Sequence, residues 1–475
     1  MSQNDLSIAN QGFPATRTDL NSALQALGST NSGSSAPSTT YANQLWYDTA
    51  NNILKIRNED NDNWISLITL DQTNDNVESL TADSITESTS GSGVTIDSVI
   101  LKDGGVGSTS SAVTLNASSL NNGQFGGRRN MIYNGNFQCW QRSTSEGGLG
   151  TASGYFTADR WKTVIGGTSA GRYTQNRTAG DPDGFNYGLV INCTTADTSI
   201  ASDEVLILRQ TFEGQDLQHL KKGTSSAKKT VLCFYAKVVG SATDIVVEIR
   251  DKDNDRHICK KFTLTTSWAK YEFVIDGDTT GALDQDTSAS LDINFFLHAG
   301  SNYTSGTLAT SWASRTQANR AVGVNSIFAS TSNEFYIAGV QWEIGSTSTE
   351  FEYRTFGEEQ QLCYRYYYQM QVATNFMKVG HGRAYDSNNT TATYPVPVPM
   401  RANPTGSVSA HSDWGVAGLS SGGTTSTNPS SETMTDFSRF AINITRSGGG
   451  FSAGTIYQVE ADNNTNATIK LDAEL

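Results

Sequence analysis

Three residues near the end of the chain have side chains that could recognise a sugar. His411, Asp413 and Trp414 lie within four positions of one another, at the start of the long polar stretch HSDWGVAGLSSGGTTSTNPSSETM. An indole ring offers a flat apolar surface for a sugar ring, and an imidazole and a carboxylate can hydrogen-bond to hydroxyls. The cluster therefore predicts glycan binding; the alternative is a tryptophan packed under its own loop.

The candidates for catalysis are weaker. The stretch GTSAG at 167–171 matches the G-x-S-x-G pattern of a serine nucleophile, which requires a strand before it and a helix after it. Its neighbours are Gly, Ser and Thr, so we expect a loop. Among 47 Asp and Glu, no pair stands out by position as the two carboxylates of a glycosidase. We expect no catalytic residues and a protein that is not an enzyme.

One acidic stretch has the spacing of a calcium loop. Asp251, Asp253 and Asp255 alternate in DKDNDR, but the sixth and twelfth loop positions hold Arg256 and Phe262 instead of Gly and a carboxylate. Strand-like sequence on both sides favours a hairpin turn, with weak Ca²⁺ binding as the alternative.

Histidine and cysteine give no metal-ligand pattern. The five His are scattered, and we expect His257 and His298 to be hydrogen-bonded structural residues. The five Cys are an odd number without metal-ligand spacing, which favours buried free thiols over disulfides. They are Cys139, Cys193, Cys233, Cys259 and Cys363. No metal and no cofactor is expected.

The overall composition excludes several partners. The chain has 475 residues, 33 Lys and Arg against 47 Asp and Glu, and a net charge of −14, with no basic run for nucleic acid. No apolar stretch approaches the roughly 18 residues of a membrane-spanning helix. The start, MSQNDLSIANQGF, lacks the features of a secretory signal, so we expect synthesis in a reducing cytosol.

Residues 1–70 are predicted to form a small module. TRTDLNSALQALGS indicates a short helix, with capping-box spacing from Thr16 to Asp19. Its apolar stripe needs a partner, either another copy or the rest of the module; the stripe is Leu20, Ala23, Leu24 and Leu27. LWYD, ILKIRN and NWISLI then predict a three-stranded meander over 44–68.

Residues 71–127 are rich in Ser, Thr and Gly, with isolated aliphatic residues. The stretches VTIDSVIL and SAVTLNAS indicate short strands with too little apolar surface for a core of their own. The alternation in VTIDSVIL favours a shaft in which several chains share one core; the alternative is a disordered linker.

Residues 128–370 predict a jelly-roll-like antiparallel sandwich, because strand-like segments recur at regular spacing between turn residues. These segments are NMIYNGNFQCWQR, YFTADRW, LVINC, VLILRQTFEG, KTVLCFYAKV, DIVVEIRD, HICKKFTLT, AKYEFVID, LDINFFLHAG and NEFYIAGVQWEIG. GEEQQLCYRYYYQ predicts a closing helix. We expect the tyrosines at 364, 366, 367 and 368 to pack against the sandwich, and a sugar platform is the alternative.

Residues 371–475 predict a second, smaller β domain. RFAINIT, TIYQVEAD and ATIKLDAEL indicate strands. Pro395, Pro397 and Pro399 confine their own segment to an edge strand, since proline cannot donate a ladder hydrogen bond. The expected fold class is therefore mainly β throughout, apart from the short N-terminal helix and the closing helix.

Several segments resemble tail fibre proteins of tailed bacteriophages. The resemblance lies in NMIYNGNFQCWQR followed by TADRW, and in FYIAGVQWEIGSTSTEFEYRTFGEEQQLCYRYYY. The second string is similar to the closing strands and helix of a carbohydrate-binding-module-like sandwich that recurs in phage fibres. TTYANQLWYDTANNILKIRNEDNDNWISL resembles an N-terminal module of marine-phage fibres, and ADNNTNATIKLDAEL resembles their ending.

This resemblance implies a homotrimeric fibre in the virion tail, assembled in the host cytoplasm. Residues 1–70 would attach to phage tail or adaptor proteins, and the C-terminal domains would bind a host surface glycan or outer-membrane component. It implies no residue-level receptor site. Two alternatives stay open: an adaptor or baseplate protein that binds other virion proteins, and a tailspike depolymerase.

Overall fold

The computed structural model describes most of the chain and is mainly β, as the sequence predicts. The described residues are 3–80, 94–96, 99–102, 105–108, 128–179, 182, 184–417, 427–433, 438–446, 448–463 and 465–475. They belong to two compact units, Met1–Asn116 and Ala117–Leu475.

The first unit contains a helix and two antiparallel sheets. Its elements are α1 Phe13–Gly28, β1 Leu45–Asp48, β2 Ile53–Arg57, β3 Trp64–Asp71, β4 Asn76–Leu80, β5 Val94–Ile96, β6 Val99–Lys102 and β7 Gly105–Ser108. Strands β1 to β4 pair in chain order, and β5 to β7 form a separate sheet. The three predicted strands of the meander are confirmed, and β4 extends the sheet. The rest of the predicted shaft lies outside the described residues.

Helix α1 differs from its prediction. It begins at Phe13 rather than near Thr16, its N-cap is Gly12, and no side chain caps it. The predicted capping box is wrong because Thr16 lies inside the first turn, where its hydroxyl donates to the carbonyl of Gln11 at 2.9 Å. The predicted apolar stripe is only partly buried. Ala23 is buried, but three leucines are about half exposed, namely Leu20 (47%), Leu24 (58%) and Leu27 (58%).

The second unit begins with the predicted antiparallel sandwich. Its strands are β8 Ser145–Leu149, β9 Lys162–Gly166, β10 Arg172–Ala179, β11 Tyr187–Thr195, β12 Val205–Glu213, β13 Thr230–Val239, β14 Asp244–Asp251, β15 Arg256–Thr263, β16 Ala269–Ile275, β17 Ala289–Ala299, β18 Ala313–Ser314 and β19 Glu334–Ile344. Sheet A has the order β16-β13-β19-β11-β10-β8, and sheet B has the order β18-β15-β14-β17-β12-β9. The main core lies between them.

Alternation along the strands explains which faces meet. In β13, Leu232, Phe234 and Ala236 are buried in the main core, so the residues between them lie on the opposite face of sheet A. A smaller apolar cluster covers the outer face of sheet B, and it includes Val246 and Phe296.

Two predicted strands are wrong. The segments that contain NMIYNGNFQCWQR and TADRW are irregular, because buried side chains replace ladder hydrogen bonds. Asn134 has φ +52°, and its side chain bonds both backbone groups of Cys139 at 2.8 and 2.9 Å. Arg160 has φ +71°. These polar residues make turns out of sequence that has strand-like composition.

Helix α3, Phe356–Tyr364, confirms the predicted closing helix and begins one residue before the predicted stretch. Thr355 and Glu358 form a capping box there. The predicted helix is too long at its C-terminal end because Tyr367 begins a strand. The expectation that the tyrosines pack is confirmed at Tyr366 and Tyr367, which are buried.

Shorter helices lie between these elements. The short α-helix α2 is Ser301–Thr304, and the 3₁₀ helices are Gly214–Leu220, Gln317–Asn319, Ile327–Ala329 and His411–Asp413. No helix of the described residues is long and apolar enough to cross a membrane.

The remaining strands surround a second core. They are β20 Tyr367–Gln371, β21 Lys378–Ala384, β22 Asn389–Pro395, β23 Thr405–Val408, β24 Trp414–Ala417, β25 Thr427–Thr433, β26 Arg439–Arg446, β27 Ile456–Ala461 and β28 Thr468–Asp472. Their sheets have the orders β20-β28-β23 and β24-β27-β21-β22-β26-β25. We call this part the distal domain.

Two expectations for the distal domain are corrected. Strand β22, which ends at Pro395, is internal rather than an edge strand. It tolerates the proline because β21 pairs only as far as Ala392, so only β26 pairs the last three residues. The predicted long loop after His411 contains strands β24 and β25, so it is not a loop throughout.

Candidate functional site

The outer face of sheet A carries an open cavity of about 350 Å³. Cys233 and Tyr235 of β13 and Gly339 of β19 form its floor, and residues 348–353 form one wall. The full lining is Phe185, Cys233, Tyr235, Lys270, Gly339, Ser348, Thr349, Glu350, Phe351 and Tyr353. We call this cavity the sheet-A pocket. Its volume lies within the range of small-molecule sites, about 300–1,000 Å³.

Aromatic rings form one corner of the sheet-A pocket. The centre of the Phe185 ring lies 4.9 Å from Phe351, 5.6 Å from Tyr353 and 5.5 Å from Tyr235. Phe185 is buried, whereas Tyr353 is 55% exposed and donates its hydroxyl to the carbonyl of Gly184 at 2.8 Å. The corner therefore combines a fixed ring with an exposed one.

A bulge in sheet A makes room for this corner. The pairing of β13 with β19 shifts register between Cys233 and Tyr235, and Gly339 opposite has φ +55°. A Cβ atom on Gly339 would lie 2.4 Å from the Phe185 ring. Only glycine therefore satisfies both the left-handed backbone and the contact with the ring.

Charged and hydroxyl groups form the opposite side. Lys270 Nζ donates to Ser348 Oγ at 2.5 Å and lies 3.4 Å from a carboxylate oxygen of Glu272. Ser348 in turn donates to Glu272. Lys270 lines the pocket and Glu272 lies beside the lining, and their side chains are 33% and 39% exposed.

The thiol at the floor is unreactive. Burial is the main cause that raises the pKa of Cys233 to about 11. The thiol therefore stays protonated at neutral pH and offers a small apolar surface rather than a nucleophile. All five cysteines are buried and free, which confirms the prediction from the sequence.

A second aromatic group continues along the same face. Lys237 lies two residues beyond Tyr235 on β13, which is roughly 7 Å along the strand. Its ammonium lies 4.7 Å from the ring centre of Tyr336 and 5.3 Å from that of Trp268. The aromatic surface therefore extends beyond the sheet-A pocket, past Lys237.

The residues predicted to bind glycan lie elsewhere. Trp414 is 2% exposed in the core of the distal domain, and its indole nitrogen donates to Ser409 Oγ at 3.1 Å. Both ring faces are covered by the core, so the expected stacking role of Trp414 is corrected to packing beneath its loop. Asp413 is also buried. Glycan binding at His411 and Asp413 stays a prediction.

The rejected catalytic pattern is a loop, as predicted. Ser169 lies between strands β9 and β10, with no helix after it, and its hydroxyl donates directly to Asp197 at 2.7 Å. No imidazole stands between the hydroxyl and the carboxylate, so the pair lacks the general base of a serine nucleophile.

The two strand histidines are structural, as expected. His298 contacts Ser326 at 2.7 Å and Glu204 at 3.1 Å. His257 lies 2.9 Å from Glu248, and both are fully buried.

One buried group has the donor types of a metal centre. The ligand atoms of Glu248, His257 and Cys259 lie within 4.8 Å of one another. Arg320 donates to both carboxylate oxygens of Glu248 at 2.8 and 2.7 Å. His257 and Asn294 also contact these two oxygens, at 2.9 and 2.8 Å, so no carboxylate oxygen is left for a metal and these residues do not fit one.

Comparisons with known proteins find likenesses in structure at low sequence identity. No family model matches the chain, and no curated protein matches it. Among solved structures, a CBM4 module is 14% identical, with 45% of this chain and 99% of that chain covered and a TM-score of 0.24. A TmCBM61 structure with β-1,4-galactotriose is 9% identical, covering 46% and 100%, also at 0.24. The enzymatically active domain of tailspike protein 4 from bacteriophage CBA120 is 14% identical, covering 39% and 19%, at 0.22.

Sequence reasoning missed the sheet-A pocket. Its residues come from five separate stretches between 185 and 353, and none forms a local motif. One available signal was the alternation in KTVLCFYAKV, which places Cys233, Tyr235 and Lys237 on one face. Another was a glycine inside the apolar strand FYIAGVQWEI, which is typical of a bulge or a close approach.

Proposed function

We propose that the sandwich binds a carbohydrate in the sheet-A pocket, and that the chain is a phage tail fibre protein that attaches the virion to its host. The observation that carries the first part is the pocket itself. Exposed aromatic surface at Tyr353 lies beside hydroxyl and charged groups that keep access to solvent. A sugar ring presents the complementary combination, an apolar face edged with hydroxyls.

We propose a binding role rather than catalysis for the same site. Glu272 is held by Lys270 and Ser348, and this engaged carboxylate is suited to accept bonds from sugar hydroxyls. Glycosidases use two carboxylates on opposite sides of the bond that breaks. Release of reducing sugar from a host polysaccharide would contradict this part of the proposal.

The role in a tail fibre is supported by the resemblance described above and by helix α1. Leu20, Leu24 and Leu27 are about half exposed, so the described residues of the first unit leave them partly uncovered. Another copy of the chain would cover this stripe, and we propose a homotrimer. The N-terminal residues would attach to tail or adaptor proteins, in the virion. Light scattering that gives a mass near 51.1 kDa would contradict the trimer.

A glycan-binding experiment tests the site. The full chain is applied to immobilised surface polysaccharides of candidate hosts, together with the variants Y353A and Y235A. We expect each variant to bind about tenfold more weakly, since a truncated aromatic anchor costs about 1–2 kcal/mol. Y385A is the control, because Tyr385 is equally exposed (57%) but belongs to the distal domain.

The outcomes separate the parts of this proposal. Absence of binding by the wild-type chain to any host polysaccharide would contradict carbohydrate binding. Binding that survives in Y353A and Y235A but is lost in Y385A would move the site to the distal domain.

A further inference from the structure

A buried lysine lies in an oxygen cage in the sandwich. Lys222 Nζ is 2.5 Å from Asp251 Oδ2 and 3.1 Å from Asp278 Oδ2. It also donates to the carbonyls of Thr280 at 2.9 Å and Gly281 at 2.8 Å. The lysine side chain is only 6% exposed. We call these four oxygens the Lys222 cage.

The cage joins two separate segments. Asp251 ends β14 at the hairpin to β15, and the other three oxygens belong to the loop between β16 and β17. Other contacts hold the carboxylates independently of the lysine. Asn254 Nδ2 donates to Asp251 at 3.0 Å, and Arg256 donates to both oxygens of Asp278 at 2.7 and 3.0 Å. The oxygens are therefore pre-positioned around one point.

The donor set is that of a hard cation. Two carboxylates and two backbone carbonyls are typical calcium ligands, and a lysine ammonium is a compact positive charge without directional preference among its three donors. We propose that the ammonium of Lys222 fills a calcium-type site as an internal cation, and that removal of the lysine side chain turns the Lys222 cage into a Ca²⁺ site. This inference does not depend on carbohydrate binding.

The predicted calcium pattern contributes only one residue to this cage. Asp253 instead accepts from the backbone amide of Asp284, and Asp255 pairs with Arg315. The sequence pattern therefore pointed to the right hairpin, but the cage is completed by a lysine and a loop distant in sequence.

The cage has a consequence for the rest of the unit. The loop that it fixes also docks the distal domain, because Arg401 donates to the carbonyl of Thr287 at 3.0 Å. The carbonyl of Asp286 in the same loop accepts a hydrogen bond from the backbone amide of Gln215 at 3.0 Å. Lys222 thus holds this loop in place without a requirement for free calcium.

The size of the cage predicts which ion replaces the ammonium. The distance from Nζ to Asp251 lies within the range of Ca²⁺–oxygen distances, about 2.3–2.6 Å, and the other three exceed that range by a few tenths of an ångström. All four exceed Mg²⁺–oxygen distances of about 2.0–2.1 Å by more. Calcium also accepts irregular geometry, and water in the space left by the lysine stem would complete its coordination. Calcium should therefore bind better than magnesium.

The test compares the thermal unfolding midpoints of the full chain and its K222S variant in EDTA, in millimolar Ca²⁺ and in millimolar Mg²⁺. The wild-type midpoint should be the same in all three. K222S should unfold at a lower temperature in EDTA and recover by several degrees in Ca²⁺, with a smaller recovery in Mg²⁺. K229S is the matched control, because Lys229 pairs with Asp276 at 2.8 Å while both side chains are at least half exposed.

Two further variants keep the proposal falsifiable if K222S folds poorly. K222M fills the space without a charge, so it should be destabilised more than K229M and should not respond to Ca²⁺. K222S/D251N should lose the calcium response. The proposal is overturned if soluble K222S gains no stability from Ca²⁺, or if K222M is as stable as the wild-type chain.

Discussion

The guanidinium of Arg160 lies 3.4 Å from the ring centre of Tyr366, and neither residue is exposed. Arg160 also donates to the carbonyl of Thr211 at 2.7 Å and forms an ion pair with Glu474. The contacts connect the sandwich to Glu474, which follows β28, the last strand of the distal domain. A neighbouring arginine repeats the arrangement, since Arg142 lies 3.6 Å from the ring centre of Tyr367.

Loss of Arg160 should weaken the contact between the sandwich and the distal domain and so lower the stability of the chain. R160L removes one of the two guanidinium groups that pair with the buried Glu474, since Arg142 stays at 3.3 Å. Breaking a buried ion pair costs about 3–5 kcal/mol, and we expect a loss towards the lower end of that range. We expect the denaturant midpoint, followed by tryptophan fluorescence, to fall strongly. R383A is the control, since Arg383 is exposed on β21. Equal stability of R160L and R383A would contradict a role for Arg160 at this junction.

The ion pair of Glu248 and Arg320 should make the free energy of unfolding depend on pH. Burial alone would raise the pKa of Glu248, but bonds from Arg320 and His257 outweigh it and lower the pKa from 4.5 to about 2. Because the folded pKa lies below the unfolded one, the stabilisation is complete above about pH 4.5 and disappears as pH falls towards 2.

The variant E248Q tests this dependence. At pH 7 its free energy of unfolding should be about 3 kcal/mol lower than that of the wild-type chain, because Arg320 stays buried without its carboxylate. The difference from the wild-type chain should shrink in unfolding experiments between pH 4.5 and pH 2.5. A difference that stays constant over that interval would rule out ionised Glu248 as its source.

Gly339 should be required for both folding and binding. G339A combines a left-handed backbone with a Cβ atom 2.4 Å from the Phe185 ring. We expect about 1–3 kcal/mol of destabilisation and a displaced Phe185, with weaker glycan binding than the wild-type chain. G357A is the control: Gly357 lies in helix α3 with nothing within 4 Å, so this variant should be neutral or slightly stabilised. Unchanged stability of G339A would contradict the bulge as described.

Trp414 should act through packing. W414A removes a fully buried ring from the distal core and should cost about 3–5 kcal/mol, whereas W414F should retain most of the packing. Thermal unfolding and glycan binding are measured together. If W414F kept full stability but lost binding, the stacking role first expected for this residue would be restored.

Local sequence was sufficient where structure depends on neighbours in the chain. Strands such as β13 and β17 were predicted because apolar residues recur in short runs between turn residues, and the hairpin at 251–256 because its residues favour turns. The pattern failed at NMIYNGNFQCWQR, where the side chain of Asn134 bonds the backbone of Cys139. A side chain that replaces a hydrogen bond between strands does not change the pattern of apolar residues, so the sequence gives no sign of it.

The sequence by itself determined the mainly β fold class, the antiparallel sandwich and the buried free thiols, because alternation and composition act over a few residues. The tertiary structure decided which aromatic residues are available to a ligand. Trp414 is enclosed by a core assembled from distant strands, while Phe185, Tyr235 and Tyr353 meet only when β13, β19 and the segment after β19 fold together. Exposure here depends on contacts between residues that lie from tens of positions to more than a hundred positions apart, and local spacing carries no record of them.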